Sequence, residues 1–96
     1  MTQIENGFYE VIAMAKKLET EGVCKVYYCE DSSTELRFSI NWNIQSGEEF
    51  VKASALARIV SEWADFADGE DGYITYGMED DYTGRLYMID VFCVWL

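Results

Sequence analysis

The stretch Glu35-Leu36-Arg37-Phe38-Ser39-Ile40-Asn41-Trp42-Asn43-Ile44 alternates polar and apolar residues without a break. A side-chain period of two is the mark of a β-strand with one buried face, here Leu36, Phe38, Ile40, Trp42 and Ile44. An apolar run from about Val23 to Cys29 precedes it, and Asp31-Ser32-Ser33 supplies turn-forming residues between the two. The pair therefore reads as a hairpin. An odd-length loop places Cys24, Val26 and Tyr28 on the face of Leu36, whereas a two-residue loop would bury Lys25, so the odd loop is expected.

Helical patterns stand on either side of this hairpin. Upstream, Ile4, Phe8, Val11, Ile12, Ala15 and Leu18 recur at helical spacing, with Thr2 and Glu5 spaced as a capping box and Gly22 as a stop. Downstream, Ser46 and Glu49 have capping-box spacing, and Phe50, Ala53, Leu56, Ala57, Val60, Trp63 and Ala64 form an apolar stripe. Gly69 is the expected end of this second helix, which places Asp65 and Asp68 in its last turn, against the helix dipole. Trp42, Trp63, Phe38 and Phe50 are expected in the core.

The chain then turns to strands again, about Tyr73–Met78 and Arg85–Leu96, joined through Glu79-Asp80-Asp81-Tyr82-Thr83-Gly84. In the last strand Tyr87, Ile89, Val91, Cys93 and Trp95 share one face. Leu86, Met88, Phe92, Val94 and Leu96 share the other, interrupted by Asp90. A strand apolar on both faces is covered twice or lies in an interface, which suggests a homodimer. The order α-β-β-α-β-β in 96 residues, with no proline, linker or repeat, gives one domain, residues 1–96. The expected fold is α+β, a four-stranded antiparallel sheet with both helices on one face.

Composition narrows the function. Eighteen acidic residues against seven basic give a formal net charge of −11. That charge repels nucleic acid and anionic membrane surfaces, so direct binding to either is not expected. With half its residues hydrophobic, the chain is a folding sequence and not an acidic disordered tail. The residues Met1-Thr2-Gln3-Ile4-Glu5 hold no secretory pattern, and no stretch has the length of a membrane span. Three cysteines, with Cys24 and Cys29 ~16 Å apart if they share a strand, read as reduced thiols of a cytoplasmic protein.

The most unusual segment runs from Glu62 to Asp81. It carries Glu62, Asp65, Asp68, Glu70, Asp71, Glu79, Asp80 and Asp81, and no Lys or Arg lies between Arg58 and Arg85. Trp63, Phe66, Tyr73, Tyr76 and Tyr82 are interleaved with these acids. Charge runs are commonly solvated faces that confer solubility. Carboxylates that persist through helix end, loop and turn beside aromatics also suit an interface for a basic partner. The partner-binding candidates are therefore the eight acids and Tyr82. Asp71-Gly72-Tyr73-Ile74 looks like the middle of a calcium-binding loop, but the first, third and twelfth ligand positions fall on Ala67, Gly69 and Met78. No metal or other cofactor is expected. There is no histidine and no nucleophile, phosphate-binding or dinucleotide-binding motif, and Cys24 and Cys93 read as small buried apolar residues, so a non-catalytic protein is expected.

In size, acidity and α+β layout, and in the run from Glu62 to Asp81, the chain resembles the small phage-encoded inhibitors of bacterial defence, anti-CRISPR proteins and DNA mimics among them. The resemblance implies a protein that occupies the basic surface of a nucleic-acid-binding partner, such as a CRISPR effector complex. The same features resemble immunity proteins that neutralise basic toxins. More loosely, they resemble dimeric acidic secretion chaperones, although this chain lacks the extra helix expected of those.

Overall fold

The structure, a computed structural model, describes residues 3–70 and 72–95, with the backbone alone at position 95. The chain order is α1 (Gln3–Thr20), β1 (Cys24–Asp31), β2 (Glu35–Ile44), α2 (Gly47–Trp63), β3 (Phe66–Glu70), β4 (Tyr73–Glu79) and β5 (Leu86–Trp95). The fold is α+β, but the sheet has five strands in the order β1-β2-β5-β4-β3. The β2–β5 pair is parallel and the other three pairs are antiparallel. Four all-antiparallel strands are thus corrected on both counts. Between β2 and β5 the chain crosses over through α2 and the β3–β4 hairpin, which delivers β5 into the centre of the sheet alongside β2.

Both helices pack on one face. Phe8, Val11, Ile12 and Ala15 of α1 and Ala53, Leu56 and Val60 of α2 meet the alternating residues of β2, together with Tyr87 and Ile89 of β5. Phe8 lies at the centre, its ring 5.7 Å from Phe38, 5.6 Å from Trp63 and 5.3 Å from Tyr87. Burying side chains of this size stabilises by roughly 1.5–3 kcal/mol each. Phe50, expected in the core, is 45% exposed and lies at its margin.

The helix ends follow local chemistry. Gly22, at φ +79°, lets the chain leave α1 through Val23 N–H to Leu18 O and Gly22 N–H to Glu19 O. The Thr2 half of the expected capping box lies outside the described residues. Glu5 accepts the Tyr87 hydroxyl at 3.0 Å. Ser46 caps α2 by accepting the Glu49 N–H, while the Glu49 carboxylate accepts the Gln45 N–H.

Two expectations are corrected near the turns. Cys24, Val26 and Tyr28 do share the face of Leu36, but the turn itself has even parity, closed by Ser32 N–H to Glu35 O. A bulge at Cys29 shifts the register by one and restores the facing, so Lys25 stays out. α2 ends at Trp63, not near Gly69. Ala64 is extended (φ −70°, ψ 146°), its N–H bonds Val60 O, and Asp65 N–H bonds Gly77 O, opening β3. Asp65 and Asp68 therefore do not lie in the last helical turn. Glu62 occupies the last turn of α2 in their place, and that turn holds no cation.

Candidate acidic interface

β3 is an edge strand exposed along its whole length. The register sets Phe66 beside Gly77, Asp68 beside Thr75 and Glu70 beside Tyr73. Asp68 and Glu70 therefore leave the same face, ~6.6–6.8 Å apart along the strand. Glu62 and Asp65 continue the acidic line at the end of α2 and in the bend after it, both exposed. Asp71 lies outside the described residues.

The remaining acids sit at the other end of β4. Six residues separate Tyr73 from Glu79, a distance of ~20 Å. The acidic stretch is thus one line in sequence and two patches in space. Glu79 and Asp81 are exposed, and Tyr82 projects from the turn with 99% of its surface free. Asp80 does not join them. It is 3% exposed, its Oδ1 accepts the Tyr82 N–H at 2.9 Å, and its backbone carbonyl accepts the Gly84 N–H. It is a turn-former, and its place among the surface candidates is corrected.

Three of the seven cations are engaged elsewhere. Arg37 binds both oxygens of Asp90 at 2.7 and 2.9 Å and Glu35 at 3.1 Å. Its guanidinium is held charged well above the usual range by Glu35 and, against partial desolvation, by Asp90. Arg85 binds Asp31 and the Ser32 carbonyl, and Lys52 binds Glu21. Ten acids lie outside the 62–81 stretch against all seven cations of the chain, so most of the net charge is concentrated on the β3–β4 side.

A second surface was hidden in the alternation of β5. Phe92 packs edge-on against Tyr73 at 4.3 Å, and Met88 lies with the Phe66 ring over Gly77. These residues stand on the sheet face away from the helices, around Asp90, which also accepts the Thr75 hydroxyl at 2.8 Å. The two-faced apolar pattern signalled this surface, but the Arg37 partner for Asp90 lies 53 residues away and gave no local sign.

Among the described residues no three His, Cys, Asp or Glu side chains converge on a metal-sized site, and no helix is long and apolar enough to cross a membrane. Burial, with Glu19 nearby, pushes the Cys24 thiol up to about 11, and burial raises that of Cys93. No family model, curated protein or solved structure matches the chain.

Proposed function

We propose that this is a non-catalytic cytoplasmic protein that binds and inhibits a basic nucleic-acid-binding protein, such as a CRISPR effector complex, by presenting carboxylates in place of phosphates. The observation that carries this reading is the exposed β3 edge, where Asp65, Asp68 and Glu70 stand in a segment of the chain without a cation. The ~6.7 Å between Asp68 and Glu70 compares with one phosphate per ~3.4 Å of axis on each strand of B-DNA. The pair thus spans about two phosphate steps of one strand. Glu62 extends the line, and Glu79, Asp81 and Tyr82 form a second contact patch ~20 Å away.

The test begins with capture of the partner from a bacterial lysate, followed by association rates at low and moderate salt. Asp68→Asn/Glu70→Gln is expected to slow association several-fold while leaving the fold intact, because charge steers the encounter. Raising salt is expected to slow the wild type in the same way. Wild-type rates for this variant and for Glu79→Gln/Asp81→Asn, with no salt dependence, would refute charge mimicry.

A further inference from the structure

The sheet face opposite the helices is uncovered, and it is not an ordinary solvated face. Tyr27, Phe66, Tyr73, Phe92 and Val94 stand on it, each between 36% and 51% exposed, around the nearly buried Met88 and the Arg37–Asp90–Thr75 network. The network neutralises the centre of the face, so burying it leaves no unpaired charge.

We propose that a second copy of the chain covers this face, the two sheets stacked about a twofold axis running along β5. The argument is one of register. Lys25, Asn41, Phe92, Tyr73 and Glu70 form one row across the five strands. Tyr27, Ser39, Asp90, Thr75 and Asp68 form the next. β5 is the middle strand, so an axis along it lays β5 on β5, β2 on β4 and β1 on β3 of the other copy. Phe92 then meets Phe92, Lys25 meets Glu70, and the Tyr27 hydroxyl meets Asp68. Asp90 falls near the axis but is already held by Arg37 and Thr75. The third row sets Glu30 against Phe66, past the Cys29 bulge, and the row of Glu35, Leu86 and Glu79 at the end of the face sets Glu35 against Glu79; neither is complementary.

The rows of Lys25 and Tyr27 favour this axis over a twofold across the strands, which would lay β3 on β3 and crowd Asp68 and Glu70 against their own images. The area also suffices. Five facing strand pairs at ~4.8 Å, overlapping over a mean of about seven residues at ~3.3 Å, give a flat area of ~550 Å². Side-chain relief raises this toward the ~800 Å² per partner of a standard interface. Each copy carries −11, so the dimer forms against net repulsion and tightens as salt rises. This is opposite in sign to the salt dependence of a basic partner, and the two compete: the dimer covers the face that Asp68 and Glu70 leave, so the monomer is the form that would bind a basic partner.

Sedimentation equilibrium of the full chain tests the proposal at ~0.05 M and ~0.5 M salt, where the Debye length falls from ~14 Å to ~4 Å. The expected result is a dimer that is tighter at the higher salt. Phe92→Lys and the more exposed Val94→Lys should be monomeric, with the circular dichroism of the wild type. At low salt Lys25→Glu should weaken the dimer about tenfold, and Lys25→Glu/Glu70→Lys should restore it. A monomer at a hundred micromolar or so in both salts would overturn the proposal, at a level weaker than stable interfaces of this size. A dimer indifferent to both lysine variants would overturn it in favour of a strand edge or the helices. Failure of the charge swap to rescue would rule out this axis.

Discussion

Replacing Gly69 by alanine has different costs for the two ways of building residues 65–70. In a helix stopping at Gly69, the substitution would cost about 1 kcal/mol, the usual penalty for a left-handed cap without glycine. In the observed strand Gly69 has φ +150°. An added Cβ would overlap the Tyr73 carbonyl oxygen and lie 2.8 Å from the Ile74 Cα. Both contacts are backbone, so no rotamer change relieves them. The dihedral alone costs ~1–3 kcal/mol, and the overlap pushes β3 off β4. The total is bounded by the free energy of undocking an exposed edge strand, because beyond that point β3 detaches and the rest stays folded. A loss of ~2–3 kcal/mol is expected, which lowers a urea midpoint by ~1–2 M for a slope of ~1–2 kcal/mol/M. Thermal midpoints should fall by about 10–20 °C. Hydrogen exchange localises the effect: amides of Phe66–Glu70 should lose protection while those of β2 and β5 keep theirs. An unchanged urea midpoint would refute the strand assignment, and a fall of under ~1 M with the protection of Phe66–Glu70 unchanged would restore the helix.

Two further outcomes follow from buried groups. Ellman's reagent should titrate exposed Cys29 rapidly in the native chain and reach Cys24 only on unfolding, since a thiol with a pKa near 11 is ~0.1% thiolate at pH 8. Because folding raises the pKa of Cys24, its stabilising contribution is complete below pH 9.0 and is lost as pH climbs through about 11, so Cys24→Ala should flatten the fall of the urea midpoint across that window. Asp80 accepts the Tyr82 N–H through Oδ1, while its buried Oδ2 has no hydrogen-bond partner among the described residues. Asp80→Asn should therefore be neutral or mildly stabilising and leave partner dissociation unchanged, while Asp80→Ala should cost ~1–2 kcal/mol by removing the acceptor, as read by thermal melts.

Much of this fold was legible because burial enforces a period. β2 alternates over its full length because α1 and α2 cover one face, and the stripes of the two helices are the complement of that face. β3 was illegible for the converse reason. Phe66-Ala67-Asp68-Gly69-Glu70 lies beyond the helices and is exposed on both faces, so nothing imposes alternation on it. The parallel β2–β5 pairing was hidden because strand order is set by a crossover whose hairpin contained the unseen strand. The Cys29 bulge was hidden because it changes parity without changing which residues are buried. For the candidate interface, the concentration of charge was readable and its division was not. Asp80 and Asp81 are adjacent and chemically alike, yet one closes a turn and the other faces solvent.

The exposed edge also has a protective role, and the two roles are compatible. An unpaired strand invites further pairing, and charge on it is a common defence. The two edges of this sheet are managed differently. On β1, the Val26 N–H is taken by the Glu19 carboxylate of α1 at 2.6 Å. β3 is not covered by either helix and instead carries Asp68 and Glu70 on one face. Carboxylates there repel another copy of the same edge while attracting a cationic surface, so one feature excludes self-pairing and selects the partner. Geometry then dictates how the two acidic patches act. At ~0.15 M salt the Debye length is ~8 Å. Asp68 and Glu70, ~6.7 Å apart, lie within it and steer as a unit, whereas Glu70 and Glu79, ~20 Å apart, do not. Neutralising Asp68 and Glu70 together should therefore depart from the product of the single effects. Combining Asp68→Asn with Asp81→Asn should simply multiply them. Association rates that multiply in both cases would mean that the β3 carboxylates do not meet the partner together, and the edge would then be defence alone.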